Sequence, residues 1–232
     1  MTSPTTTLTF ELPDGDSVSA SVNLLLNAGY TGHDQDAVAA HIAELAELGV
    51  PAPSTTPTLY PVAPYLAQQT DEVAAQHART SGEAEWAMII TGDRPEDVLI
   101  TAAGDHTDRA LETHGVAWSK NAAPDVIGRR AWRLTEISDH LHRIRLIATV
   151  GKDDKIIQNA LMDELLPPEY WLQVLQTRGE RTAGTVLLSG TVPMINAVDQ
   201  FADRWQVWLI DDELGRRIDL AYSVRLLPDP IG

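Results

Sequence analysis

The 232-residue chain contains no cysteine. Disulfides, thiolate nucleophiles, zinc–thiolate sites and iron–sulfur clusters are therefore excluded. Basic residues are scarce, with 17 lysines and arginines against 33 aspartates and glutamates, for a formal net charge of −16. Phosphate backbones and anionic lipid surfaces are gripped by basic patches, so neither nucleic acid nor a membrane surface is expected as a partner. No apolar run approaches the roughly 20 residues that span a bilayer. The N-terminal "MTSPTTTLTFELPDG" lacks the basic and apolar regions of a signal peptide. A cytoplasmic location is the expectation. The G-x-S-x-G elbow of serine hydrolases is missing, "LLSGTVP" not being one, and so are glycine-rich phosphate loops.

What is present supports a packed core: 44% of residues are hydrophobic and 22% charged. "TLTFELPDGDSVSASV" reads as two alternating strands around a Pro-Asp-Gly turn. "HDQDAVAAHIAELAELGVP" predicts a helix capped by Asp34 or Asp36 and ended by Gly49 and Pro51, with Val38, Ile42, Leu45 and Leu48 on its buried stripe. "PAPSTTPTLYPVAP" reads as an extended loop and "DEVAAQHA" as a short helix. "AEWAMIITG" and "DVLITAAG" are strand-like runs joined by the turn-forming "DRPED". "DHTDRALETHGVAW" predicts a helix with Asp105 at its N-cap, and "RIRLIATV" a strand. "PPEYWLQVLQTRG" predicts a helix opened by proline and stopped by Gly179. The C-terminal part reads as strand and turn, ending in a long hairpin around "DELG". Neither an internal repeat nor a boundary between two cores is evident. The expectation is one α+β domain over residues 1–232, mostly β with inserted helices and with N-terminal strands within 1–30. The six tryptophans are placed in the core rather than at an interface.

In "SGEAEWAMII", Glu83 and Glu85 are two positions apart and share one face of a strand. Such a pair is either solvated at a strand edge or buried around a cation, since close buried carboxylates repel. Asp105 ends the following strand, so pairing of the two strands brings three carboxylates together. Three hard oxygen donors suit magnesium, manganese or calcium better than zinc. His41 and Glu44, three apart on the helix, read either as an exposed surface contact or as a carboxylate-oriented general base. Lys120 taken alone reads as solvated surface. Asp139, His140 and His142 in "DHLHRIR" offer a weaker metal set, better explained as histidines on a solvated face.

The order of these segments resembles the fumarylacetoacetate hydrolase family. "AGTVLLSGTVPMI" is similar to its "GD-V/I-I-x-TGTP-x-GVG" signature at Gly184, Gly190, Thr191 and Pro193. "GEAEWAMII" is similar to the family's "E-L-E-L-G-V-V" strand, and "AAGDHTDRALETHGVAWSKNAAP" to its "D-x-T-x-R-D-x-Q…K" segment. The resemblance runs from about residue 25 to 228. It implies Glu83, Glu85 and Asp105 as metal ligands and Lys120 facing the substrate. It also implies His41 and Glu44 as an H-x-x-E dyad on a helix, within 31–50, that orders over the site. Gly190 and Thr191 would hold the substrate. A mixed β-roll, usually dimeric, with a magnesium or calcium ion in its mouth follows, as do substrates carrying a 1,3-dicarbonyl or 2-oxoacid unit. Carbon–carbon hydrolysis is the leading activity; decarboxylation, hydration or isomerisation of 2-oxoacids, or oxoacid binding without turnover, are the rivals. Ser189, the inserted Val192 and "MIN" in place of "GVG" depart from the signature where substrate would be gripped.

Overall fold

The structure is a computed structural model that describes residues 6–47 and 49–231, apart from the side chains of Gln35 and His41. An N-terminal hairpin pairs β1 (Thr6–Glu11) with β2 (Ser17–Val22) around the expected turn. Strand β3 (Leu24–Gly29) leads into helix α1 (Gln35–Glu47). Asp34 caps that helix, its Oδ1 accepting the backbone N–H groups of Asp36 and Ala37 at 3.0 and 3.1 Å. Val38 is buried while Ile42 and Leu45 are half-buried; Leu48 lies outside the described residues.

The segments that follow correct two expectations. The proline-rich stretch contains β4 (Thr58–Val62), which pairs with β3, and is not simply loop. After the two-residue β5 (Ala67–Gln68), "DEVAAQHA" forms β6 (Glu72–Ala75) in place of a helix. Val73 and Ala75 are buried and Glu72 and Ala74 exposed, the two-residue alternation of a strand laid on a core. Alanine's helix propensity is a weak signal that a sheet partner overrides. β7 (Thr80–Ile90) and β8 (Val98–Asp108) are each buried along all eleven residues, and they pair antiparallel.

Asp105 is therefore inside a strand, not at a helix N-cap. Asp108 takes that role for the turn that follows, its Oδ1 accepting Ala110 and Leu111 N–H at 3.0 and 3.1 Å. The predicted helix is reduced to a 3-10 turn and the short α2 (Val116–Lys120). Next come β9 (Asp125–Ile127), β10 (Trp132–Arg133), α3 (Leu134–Ile137), β11 (Arg145–Val150) and β12 (Lys155–Leu161). Helix α4 (Pro168–Arg178) opens on proline and ends at Gly179 in the left-handed conformation, with φ of 71°. β13 (Thr185–Leu188), β14 (Arg204–Asp211) and β15 (Arg216–Leu226) complete the chain.

The strands form two large sheets. One runs β4-β3-β13-β7-β8-β9-β5 with β10 beside β8, and the other β12-β11-β14-β15-β6. Trp86, Met88, Ile100, Trp205, Val207 and Leu209 fill the space between them. Four of the six tryptophans, at 86, 132, 171 and 205, are buried as expected, whereas Trp118 is 66% exposed.

The first sheet is strongly curled. β3 and β9 are four strand spacings apart, about 19 Å in a flat sheet. Yet Asn27 Nδ2 of β3 donates to Asp125 Oδ1 of β9 over 3.0 Å. One end of the concave face is packed with Leu25, Ile89, Leu99, Ile127 and Leu188 against Leu8, Phe10 and Leu12 of the N-terminal segment. The polar residues described next occupy the other end. This is a mostly-β α+β architecture with short helices between strands.

Candidate metal centre

Glu83 on β7 and Asp105 on β8 stand directly opposite each other in the strand register, and Glu85 lies two residues along the same face. The three carboxylates offer oxygens within 4.8 Å of one another. The solvated-edge reading of the pair fails, because Glu85 and Asp105 are fully buried and Glu83 is 9% exposed.

Two cations from the β8–β9 connection meet this cluster. Arg109 Nη2 donates to Glu83 Oε1 at 2.7 Å, and its Nη1 to Glu112 Oε1 at 3.0 Å. Lys120 is buried rather than solvated; its ammonium pairs with Asp105 Oδ2 and reaches Glu83 Oε2 at 3.5 Å. Burial works to raise the Glu83 pKa, but Arg109 and Lys120 prevail and hold it at about 2. For Glu85, burial and then the Asp105 charge push the carboxyl well above its ordinary range. Burial alone would discharge Lys120, yet Asp105, Glu83 and Glu85 together keep its ammonium charged. A loop residue next to the lysine fixes its position. Asn121 Oδ1 accepts Ala63 N–H at 3.0 Å and its Nδ2 donates to Pro61 O at 3.3 Å, stitching the end of α2 to β4.

The donor set fits a hard divalent cation. Oxygens bound to one ion at about 2.1 Å in an octahedron lie roughly 2.9–4.2 Å apart, compatible with the observed grouping. Glu85 Oε2 accepts the Gly190 N–H at 2.8 Å, whereas its Oε1 is buried without a partner. A buried, unpartnered carboxylate oxygen beside two other carboxylates is a strong call for positive charge. Glu83, Glu85 and Asp105 are the residues that would hold the ion.

The remaining predicted residues are distributed unevenly. Gly190 sits beside Glu85 with φ of 79°, and a Cβ there would lie 2.4 Å from Thr31 Oγ1, so the position demands glycine. Thr191 is engaged within the fold: its hydroxyl donates to Ala84 O at 2.9 Å and accepts from Gln158 Nε2 at 2.7 Å. His41 lies on α1, but its side chain is outside the described residues, and Glu44 is exposed. His140 does not share the solvated face of Asp139 and His142, because it is buried with its Nε2 on Asp211 Oδ2 at 3.1 Å. Among the described residues, the acidic and imidazole groups clustered tightly enough for a metal are Glu83, Glu85 and Asp105 alone.

Several neighbours carried little sequence signal. Asp125 and Asn27 are fully buried and bonded to each other beside Asp105. An isolated amide in "LLLNAG" and one acid in "PDVIG" are the only hints they leave. Tyr30 and Tyr60 lie close enough to affect each other's phenol and are within electrostatic reach of Lys120 and Glu112. Burial, then Tyr60 and Glu112, raises the Tyr30 phenol to about 12. Tyr30 also has φ of 59°, a left-handed conformation that a bulky residue rarely adopts. His33 follows three residues later, its backbone N–H bonded to Glu164 O at 3.0 Å.

Known structures share this architecture. Fumarylpyruvate hydrolase from Pseudomonas aeruginosa, solved with Mn2+ and pyruvate, is 17% identical, with 98% of each chain covered and a TM-score of 0.63. A 2-keto-3-deoxy-D-arabinonate dehydratase complexed with magnesium and 2,5-dioxopentanoate is 15% identical over 92% of this chain and 78% of that one, with a TM-score of 0.61. The 5-carboxymethyl-2-hydroxymuconate delta-isomerase from Mycobacterium smegmatis is 16% identical over 96% of this chain and 99% of that one, with a TM-score of 0.58. These likenesses establish a shared fold. No curated protein matches the chain by sequence. A family model does match, over residues 28–222, and the chain accordingly belongs to the family described as protein of unknown function (DUF2848).

Proposed function

We propose that this protein is a divalent-metal-dependent hydrolase that cleaves a carbon–carbon bond in a small 1,3-dicarbonyl or acylpyruvate-type 2-oxoacid. The carrying observation is the buried Glu83–Glu85–Asp105 group with Glu85 Oε1 unpartnered. Mg2+ is the preferred ion, with Mn2+ or Ca2+ as substitutes; when bound it supplies Lewis acidity toward the substrate's paired oxygens. His41, oriented by Glu44, takes a proton from water, and the hydroxyl joins the electrophilic carbonyl carbon. The bond between that carbon and its neighbour breaks, the electron pair leaving as an enolate that is then protonated. Lys120, kept charged by its carboxylate neighbours, offsets the negative charge of the leaving fragment. The Gly190–Thr191 turn lies beside the substrate's carboxylate end, with the Gly190 N–H on Glu85 and the Thr191 hydroxyl on Ala84 O.

His33 is an alternative base, favoured by one observation. It stands three residues after Tyr30, whose phenol is within electrostatic reach of Lys120 and Glu83, and its backbone N–H is fixed on Glu164 O at 3.0 Å. We further propose one domain spanning 1–232 with 31–50 as a lid, a homodimeric assembly and a cytoplasmic location.

A lyase reading has support from the dehydratase and the isomerase that share the fold. A screen of acylpyruvates and other β-dicarbonyls, following loss of enol absorbance with and without Mg2+, tests the proposal. Mass analysis of the products separates the readings. Scission with water incorporated supports the hydrolase; gain or loss of water without scission, loss of carbon dioxide or an unchanged mass supports a lyase or isomerase. Tight oxoacid binding in Mg2+ with no turnover would overturn both.

A further inference from the structure

We infer that Asn27 and Asp125 position Asp105 for divalent-cation binding, an inference that rests on the metal-centre reading above. Asp125 faces Asp105 directly in the β8–β9 register, on the same side of the sheet. The two side chains lie close enough to interact, and Asn27 Nδ2 donates to Asp125 Oδ1 at 3.0 Å. Both supporting residues are fully buried. Asp125 is not one of the three carboxylates grouped for an ion.

The surroundings make this pair costly to keep for packing alone. Neighbouring positions on the same concave face are Leu25, Leu188 and Ile127, and an aliphatic pair in their midst would bury no polar group. Asn27 Oδ1 and Asp125 Oδ2 are both left without a conventional partner, so the pair does not satisfy itself. Asp105 in turn has few other anchors. Its Oδ1 accepts the Thr107 hydroxyl at 3.2 Å, and its Oδ2 meets Lys120, a cation competing for the oxygens an ion would use. Asn27 and Asp125 thus complete a brace that spans the curl of the sheet and presses on one ligand. Groups that orient metal ligands in this way typically contribute 10–100-fold to metal affinity.

Mn2+ titration by calorimetry, in the absence of substrate, tests the brace on the full chain. Asp125→Ala is expected to weaken Mn2+ binding roughly 10–100-fold. Asn27→Ala should weaken it in the same direction, and the double variant should be no worse than Asp125→Ala. Asp125→Asn fills the same space and keeps a partner for Asn27, so it should stay within a few-fold of the parent. An unchanged Mn2+ isotherm for Asp125→Ala overturns the inference, as does an Asp125→Asn variant that binds as weakly as Asp125→Ala. If circular dichroism shows that Asp125→Ala does not fold, Asn27→Ala decides, and a parental isotherm overturns the inference. A parent protein that binds no Mn2+ sinks the metal-centre reading itself, and the brace with it.

Discussion

Glu83 and Asp105 face each other across the β7–β8 pair, and the ammonium of Lys120 reaches both. The lysine thereby answers two of the three clustered carboxylates and leaves Glu85 Oε1 unpartnered. Charge balance in this pocket sets the first two predictions.

Glu85→Gln replaces a carboxyl that can ionise onto a cation with a neutral amide of nearly the same volume. Mg2+ binding should be lost in a calorimetric titration, and turnover with it. A parental isotherm would remove Glu85 from the ligand set.

Lys120→Met leaves Asp105 buried without its cation. Breaking a buried pair from one side costs on the order of 3–5 kcal/mol. The melting temperature should fall without divalent ions, and added Mg2+ should recover part of the loss, because an ion supplies the missing charge. Equal destabilisation with and without Mg2+ would contradict this account.

The general base is separable by substitution. His41→Ala should abolish turnover while leaving Mg2+ affinity intact; if His33→Ala does so instead, the base is His33. A histidine that acts as the base must be neutral, so kcat/KM should decline toward acid. A kcat/KM that does not decline toward acid points to a different group.

Asp211, remote in sequence from the cluster, accepts from His140 and Arg216. Burial opposes its charge, but those bonds and the Leu214 N–H hold its carboxyl below the ordinary 3.8. A depressed folded pKa adds stability above 3.8, and that stability is lost as pH falls further. Asp211→Asn should therefore be less stable than the parent at neutral pH, the gap narrowing below pH 3.8. Urea unfolding across pH measures it; a gap that widens toward acid refutes the sign.

The strands that carry the three carboxylates are readable because their apolar runs are long and their turns well marked. The N-terminal hairpin, α1, α4 and the final hairpin were legible for the same reason. Short segments that take their state from a distant partner are not legible from local pattern. "DEVAAQHA" carries a strand only because β15 lies beside it, 151 residues away in register at Glu72 and Ser223. Asp105 looked like a cap because the helix signal begins at "DHTDR", three residues before the strand ends and Asp108 takes over. Lys120 gave no hint of burial, since its carboxylate partners lie 15 and 37 residues upstream. Asn27 and Asp125 meet only through the curl, which no local pattern encodes.

That curl has a consequence for how the protein acquires its chemistry. The hydrogen bonds that shape the carboxylate end join residues 98 and 105 apart, Asn27 with Asp125 and Glu85 with Gly190. Neither half of the polypeptide contains the complete constellation, and contacts so distant form slowly and late. During refolding, ion uptake should therefore trail the recovery of backbone structure and mark its final step, making a bound Mn2+ a reporter that the whole chain has closed.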